Sequence, residues 1–314
     1  MISPVSLTVE DPGLLTTLQD LGRWGAQHHG VSVSGAMDRL SLRLANRLVG
    51  NRDQTAALEV TLAGPTIRFN RESQVAVSGA EFILRLDEYE VSSETLLSIG
   101  SGQCLMFGRR LSGARAYIAV AGGVEGESFM GSRSTHLPTE KGGMAGRPLR
   151  RGDELRVGSL RGESVRSHPG PGLRWRRRPT GGTKVRVILG PQVDWFPRDS
   201  VETFCSKRYW VGIASDRMGY RLEGPPVRRG DAREMLSQAV PMGSIQVPQS
   251  GEPILAMADC QTTGGYPKIA TVISADLHLL GQLGPGDWLE FDVCDRVIAR
   301  QALVELEEIM ASSQ

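Results

Sequence analysis

Short apolar runs, each closed by glycine or proline, recur along the whole chain, and few stretches are long and periodic enough for a helix. That punctuation predicts a mostly β architecture with many turns. Strand-like runs cover 58–62, 66–69, 74–77, 82–86, 104–107, 115–120 and 184–189. The 38 glycines and 17 prolines supply the turns, and 314 residues are enough for about two domains with a core each.

The clearest helix runs from Ser34 to Gly50, where Met37, Leu40, Leu44 and Leu48 form an apolar stripe that Ser34 or Asp38 can cap. Arg39, Arg43 and Arg47 form a second stripe, expected to face solvent, and Asn46 beside the apolar one needs a partner, either a substrate or a neighbouring loop. A C-terminal amphipathic helix spans Arg296–Met310, with Ile298, Ala302, Leu306 and Ile309 on one face. The Pro/Gly-rich, basic span 161–183 reads as a linker between an N-terminal domain (1–160) and a C-terminal domain (184–314). Two blocks, Thr61-Leu-Ala-Gly-Pro-Thr-Ile-Arg68 and Arg221-Leu-Glu-Gly-Pro-Pro-Val-Arg228, resemble each other, as tandem related domains would.

The 36 Lys and Arg against 35 Asp and Glu leave no basic field for nucleic acid. Four cysteines without a Cys-x-x-Cys pair predict reduced thiols and no zinc site, and the adjacent His28 and His29 lack a third ligand at suitable spacing. Without an apolar run of membrane length or a leader-like start, the chain is expected to be cytoplasmic, with no membrane partner. P-loop, nucleophile-elbow and His-Glu-x-x-His signatures are also missing.

The richest stretch is Asp259-Cys-Gln-Thr-Thr-Gly-Gly-Tyr-Pro267, set between the strand-like runs 253–258 and 269–274. Gln261, Thr262 and Thr263 offer donors and acceptors, and Gly264-Gly265 lets the backbone enter positive φ and offers its amides to a small amide-bearing or anionic ligand. A plain Gly-Gly turn with polar neighbours is the competing reading. Arg133, between two serines in Gly131-Ser-Arg-Ser-Thr135, is a candidate fork for a carboxylate or phosphate, or a turn arginine bonding carbonyls.

Several blocks, in this order, resemble one family over most of the chain: Gly13 to Arg23, Ser34-Gly-Ala-Met-Asp38 with Arg43-Leu-Ala-Asn46, and Ala57 to Leu62. Tyr117 to Gly123, Gly131 to Thr135, Ser215 to Leu222, Ile245 to Pro248 and Gln261 to Pro267 continue the match. The sequence is similar to the family of the 5-oxoprolinase C subunit, also called allophanate hydrolase subunit 2 or biotin-dependent carboxyltransferases. His136 departs from the pattern, where Tyr or Asp is commoner.

The resemblance implies two tandem cyclophilin-like β-barrels that pair with a B subunit of related fold. With an A subunit, they would open 5-oxoproline to glutamate at the expense of ATP, and this chain would be inactive alone. The alternatives it implies are the carboxyltransferase part of a biotin-dependent urea or amide carboxylase, and a non-catalytic regulator that binds the B subunit. No cofactor site is visible in the chain itself. For the lactam reading, Gln261, Thr262, Thr263, Gly264 and Gly265 would contact the amide, Asp259 would act as base and Tyr266 would position the substrate. Arg217 or Arg133 would clamp a carboxylate or phosphate, and Asp38, Asn46 and Arg23 would face the same cleft.

Overall fold

The computed structural model describes residues 5–159, 179–230 and 233–312. They form two compact units, 5–23 with 34–159, and 24–33 with 179–312. Most of the expected linker, including the basic cluster at 174–178, lies outside the described residues; its last two residues, Gly182 and Thr183, already belong to a strand. No helix among the described residues is long and apolar enough to cross a membrane.

The first unit contains β1 (Val5–Asp11), β2 (Leu15–Gln19), α1 (Arg39–Leu48), β3 (Ala57–Thr61), β4 (Thr66–Phe69), β5 (Ser73–Leu86), β6 (Tyr89–Val91), β7 (Leu97–Ile99), β8 (Cys104–Val120) and β9 (Glu154–Arg156). Its nine strands make one curled sheet in the order β2-β3-β8-β4-β1-β9, with β5 pairing β8 and carrying β6 and β7. Runs expected as separate strands are fused: 74–77 and 82–86 are one strand, as are 104–107 and 115–120. The joint is a bend, because the β5–β8 register shifts three times between Gly79 and Leu84. Gly79 sits at φ +116, and a Cβ there would meet the Arg115 carbonyl at 2.4 Å, so only glycine fits.

Side-chain alternation builds two layers. Leu58, Val60, Val75, Val77, Ile118 and Val120 enter one core, while Ala57, Ala76, Tyr117 and Ala119 on the other face meet Leu42, Ala45 and Val49 of α1 and its C-cap. The alanines let the helix lie close to the sheet. Asp38 caps the helix by accepting from the Ser41 amide at 2.9 Å, so the helix starts at Arg39, five residues later than expected; Ser34 instead occupies a left-handed turn at φ 58. Glu59 and Tyr117 fix the same end from the sheet: the Tyr117 hydroxyl donates to Glu59 at 2.7 Å and accepts from the Asp38 amide at 2.8 Å. Burial, followed by the Glu59 charge, pushes the Tyr117 hydroxyl well above its ordinary pKa. The arginine stripe is not simply solvated, since Arg43 and Arg47 both hold Asp53, at 2.9 and 2.7 Å.

The second unit contains β10 (Gly182–Leu189), α2 (Arg198–Ser206), β11 (Tyr209–Val211), β12 (Gly219–Glu223), β13 (Gln238–Ala239), β14 (Ser244–Gln246), β15 (Ile254–Ala256), β16 (Thr263–Gly264), β17 (Lys268–Val272), α3 (Leu277–Gly281), β18 (Trp288–Val293) and α4 (Arg296–Ser312). Seven strands close a barrel, β10-β17-β14-β15-β12-β11-β18, and the parallel pair β18–β10 completes it. Thus one of the two expected barrels is closed and the other is an open, curled sheet. Phe204 of α2 stacks on Phe291 with centroids 4.5 Å apart. α4 packs through Ala299, Ala302 and Leu306 against Ile188, Ile273 and Ala275, whereas Ile298, expected on that face, is 49% exposed.

The two similar sequence blocks differ in structure. In both a strand leads into the turn, β3 in the first and β12 in the second, but only the first continues into a strand, β4, whereas Val227-Arg228 continues without strand pairing.

Candidate functional site

The stretch 259–267 leaves the barrel at the end of β15 and returns into β17, as its flanking apolar runs predict. Between them, Thr263–Gly264 forms a two-residue ladder with Gln238–Ala239, and the Val240 amide donates to the Thr262 carbonyl at 2.9 Å. Neither Gly264 nor Gly265 uses the positive φ that glycine allows. A Cβ at Gly264 would lie 2.8 Å from Gln246 Nε2 and 2.9 Å from Gln261 Nε2, so a side chain there would make those two carboxamide ends move aside.

Gln261 and Tyr266, at the two ends of the loop, line a cavity of about 260 Å³ with Cys260, Gln246, Asp216 and Arg221. Met218, Val240 and Ile254 supply apolar wall. Asp216 is occupied, accepting from the Met218 and Gly219 amides at 2.8 and 3.2 Å. By contrast, the Arg221 guanidinium, Gln261 carboxamide and Tyr266 hydroxyl make no hydrogen bond to described residues. A cation, an amide and a phenol with unused donors, beside apolar wall, can hold a carboxylate and an amide carbonyl on a small ring. Thr262, Thr263, Gly264 and Gly265 are not in that lining; Thr263 and Gly264 pair in the ladder.

Asp259 and Arg217 are elsewhere. Arg217 holds Asp259 through Nε at 2.8 Å and Nη2 at 3.0 Å, both side chains buried, and the Asp259 amide donates to the Arg217 carbonyl at 2.8 Å. A bidentate pair withdrawn from water acts as a strut between the 215–218 turn and the 257–260 turn. The geometry therefore gives Asp259 a structural partner where a base was expected, and gives Arg217 a carboxylate of its own. Ser32 joins the same place, donating to the Cys260 carbonyl at 2.8 Å.

Behind the loop, Lys268 is buried, and its ammonium donates to neutral acceptors, Gln238 Oε1 at 3.3 Å and the Ala239 carbonyl at 3.2 Å. Burial lowers its pKa.

Residues expected at the site from the first half belong to the first unit, where most have structural partners. Arg23 is buried, donates to the Ser134 carbonyl and packs 5.5 Å from the Phe129 ring centroid. Asp38 caps α1. Asn46 donates to the Thr55 carbonyl at 2.7 Å, so of its two readings the neighbouring loop is its partner. Arg133 is exposed; its amide, with the Ser132 and Ser134 hydroxyls, bonds the Asp20 carboxylate at 2.6–2.7 Å. His28 and His29, in the second unit, are exposed in a short 3₁₀ turn.

Arg221 escapes the sequence reading, although its signal is present. In β12 the buried Tyr220 and Leu222 alternate with Arg221, which must point away from the barrel core, and Arg221 pairs with Ile254 at the start of the strand that leads into the loop.

The family model for the carboxyltransferase domain, subdomain A and B, matches residues 29–293. The C subunit of 5-oxoprolinase from Escherichia coli is 40% identical over 282 residues, covering 90% of this chain and 89% of that protein. Its counterpart from Haemophilus influenzae is 39% identical over 279 residues, covering 88% and 87%. Among solved structures, the K. lactis urea amidolyase superposes with a TM-score of 0.94 at 31% identity, over 100% of this chain and 20% of that one. The chain belongs to the carboxyltransferase-domain family, subdomain A and B, and is homologous to the C subunit of 5-oxoprolinase.

Proposed function

We propose that this chain is the C subunit of an ATP-dependent 5-oxoprolinase that opens the lactam of 5-oxoproline to glutamate. It would work in the cytoplasm with an A subunit, together with a B subunit of related fold, and be inactive alone. The observation that carries this reading is the two-sided match, 40% identity over 90% of this chain and 89% of the E. coli protein.

The barrel cavity suits the substrate. Arg221 would take the carboxylate, Gln261 and Tyr266 would donate to the lactam oxygen, and Met218 and Ile254 would face the ring methylenes. An unstrained amide resists water, so ATP would activate the lactam oxygen by phosphorylation while the protein holds the ring for attack. Asp259 and Arg217 would support this site from behind by fixing the turns on either side.

A second reading is favoured by the full-length superposition on a urea amidolyase at TM-score 0.94. Here the same cavity would hold urea or another small amide, and carboxybiotin would supply the carboxyl group.

Reconstitution separates the two. Purified chain with its A and B partners, given 5-oxoproline and ATP, is expected to form glutamate and ADP, and to stop when this chain is omitted. No ATP-dependent glutamate would sink the first reading; carboxylation of urea with a biotin carboxylase partner would establish the second.

A further inference from the structure

The first unit contains a larger cavity, about 750 Å³, lined among others by Arg52, Gln54, Thr55, Ser128 and Arg133. Its volume falls within the range of about 300–1,000 Å³ usual for pockets holding drug-sized ligands, and the barrel cavity is below it.

Two walls of this cavity are rigid because their polar groups are already satisfied. On one side Asp20 accepts from the Gly22 amide at 2.8 Å, the Ser132 and Ser134 hydroxyls at 2.6 Å each and the Arg133 amide at 2.7 Å. Four donors on one carboxylate fix the 132–134 backbone and leave the Arg133 side chain projecting, with no hydrogen bond or ion pair to described residues. On the other side Asn51 donates to Asn46 and the Val120 carbonyl and accepts from the Gly122 amide, while Asn46 holds Thr55. Arg43 and Arg47 hold Asp53, which leaves Arg52, between Asn51 and Asp53, exposed, its guanidinium likewise without a partner among described residues.

Two guanidiniums unpaired among the described residues, on preset walls with hydroxyl and amide side chains beside them, match an anion bearing several oxygens. We propose that this cavity is a binding site for a phosphate-bearing small molecule of nucleotide size, gripped by Arg52 and Arg133. Glu125 also lines the cavity and opposes the anion on its side. The proposal goes beyond the lactam reading, and binding is measured without turnover, so the two fail separately.

The test is calorimetric titration of the purified full chain at low salt with ATP, tripolyphosphate, inorganic phosphate and glutamate. Saturable binding of ATP and tripolyphosphate is expected, weakened about tenfold or more by Arg52→Ala and by Arg133→Ala. Glu125→Gln is expected to tighten it. Arg198→Ala, which removes a charge from an exposed helix pair in the second unit, is expected to leave it unchanged. Tighter binding with ATP than with tripolyphosphate assigns the site to nucleotides, and the reverse to phosphate chains. Absence of saturable binding, affinity unchanged in both arginine variants, or glutamate as the preferred ligand would each overturn the proposal. Both arginines are exposed, so the variants should fold, which circular dichroism checks.

Discussion

Arg217 and Arg221 lie four residues apart in one short segment, and their surroundings are opposite. Arg217 is buried and clamped on Asp259, whereas Arg221 is exposed at a cavity with its donors unused. The first is a strut and the second is available to a ligand. Residue type does not separate them; hydrogen-bond saturation does. The same contrast divides the first unit, where Arg23 is held by carbonyls and Arg133 projects from a loop fixed by Asp20. A charged residue in a polar motif can thus be what keeps the motif in shape, as Arg217 and Arg23 are, and not a group open to a ligand.

The largest effect should come from breaking the strut. Arg217→Ala leaves a buried carboxylate without its principal cation and is expected to cost about 3–5 kcal/mol in urea unfolding. The double variant with Asp259→Ala should recover part of that loss. A cost below roughly 1 kcal/mol, the value of a surface pair, would mean that the pair is not structural. A smaller loss, about 1 kcal/mol, is expected for Asp38→Ala, because the cap is removed while Glu59 and Tyr117 still hold the helix start. Equal stability of that variant and the parent would remove Asp38 from the scaffold.

The smallest effect is a pH slope from Lys268. Its folded pKa is lowered by burial from the ordinary 10.5, so across the interval below 10.5 the folded chain binds fewer protons than the unfolded one. This group's contribution to stability therefore rises with pH through that interval and is complete above it. Unfolding midpoints of parent and Lys268→Met, compared from neutral pH upward, should converge or cross in the parent's favour as pH rises. Parallel curves would contradict a buried, poorly compensated ammonium.

Much of this fold is readable from local pattern. The helix read from the Met37, Leu40, Leu44 and Leu48 stripe and the strands flanking 259–267 follow from spacing that needs no distant partner, and of the two caps the spacing allows, Ser34 and Asp38, the structure uses Asp38. What does not show locally is what depends on pairing. The bends that fuse four short runs into β5 and β8 are set by register, and the barrel closes only when residues 182–187 meet 288–293. The site follows the same rule. Gln261 and Tyr266 stand out in a polar, glycine-rich loop, but Arg221 is an ordinary exposed strand residue until β12 lies beside β15. Asp259, a candidate base in the sequence, is held by Arg217 in the structure.

The proposed chemistry stands or falls on Arg221, not Arg217, receiving the substrate carboxylate. The deciding experiment is the 5-oxoproline saturation curve of the reconstituted complex carrying Arg221→Ala. Loss of a charge-assisted contact of about 1.5–3 kcal/mol should raise KM roughly 10- to 100-fold while the unfolding midpoint of the chain is unchanged. An unaltered KM in a fully folded variant would show that the carboxylate binds elsewhere.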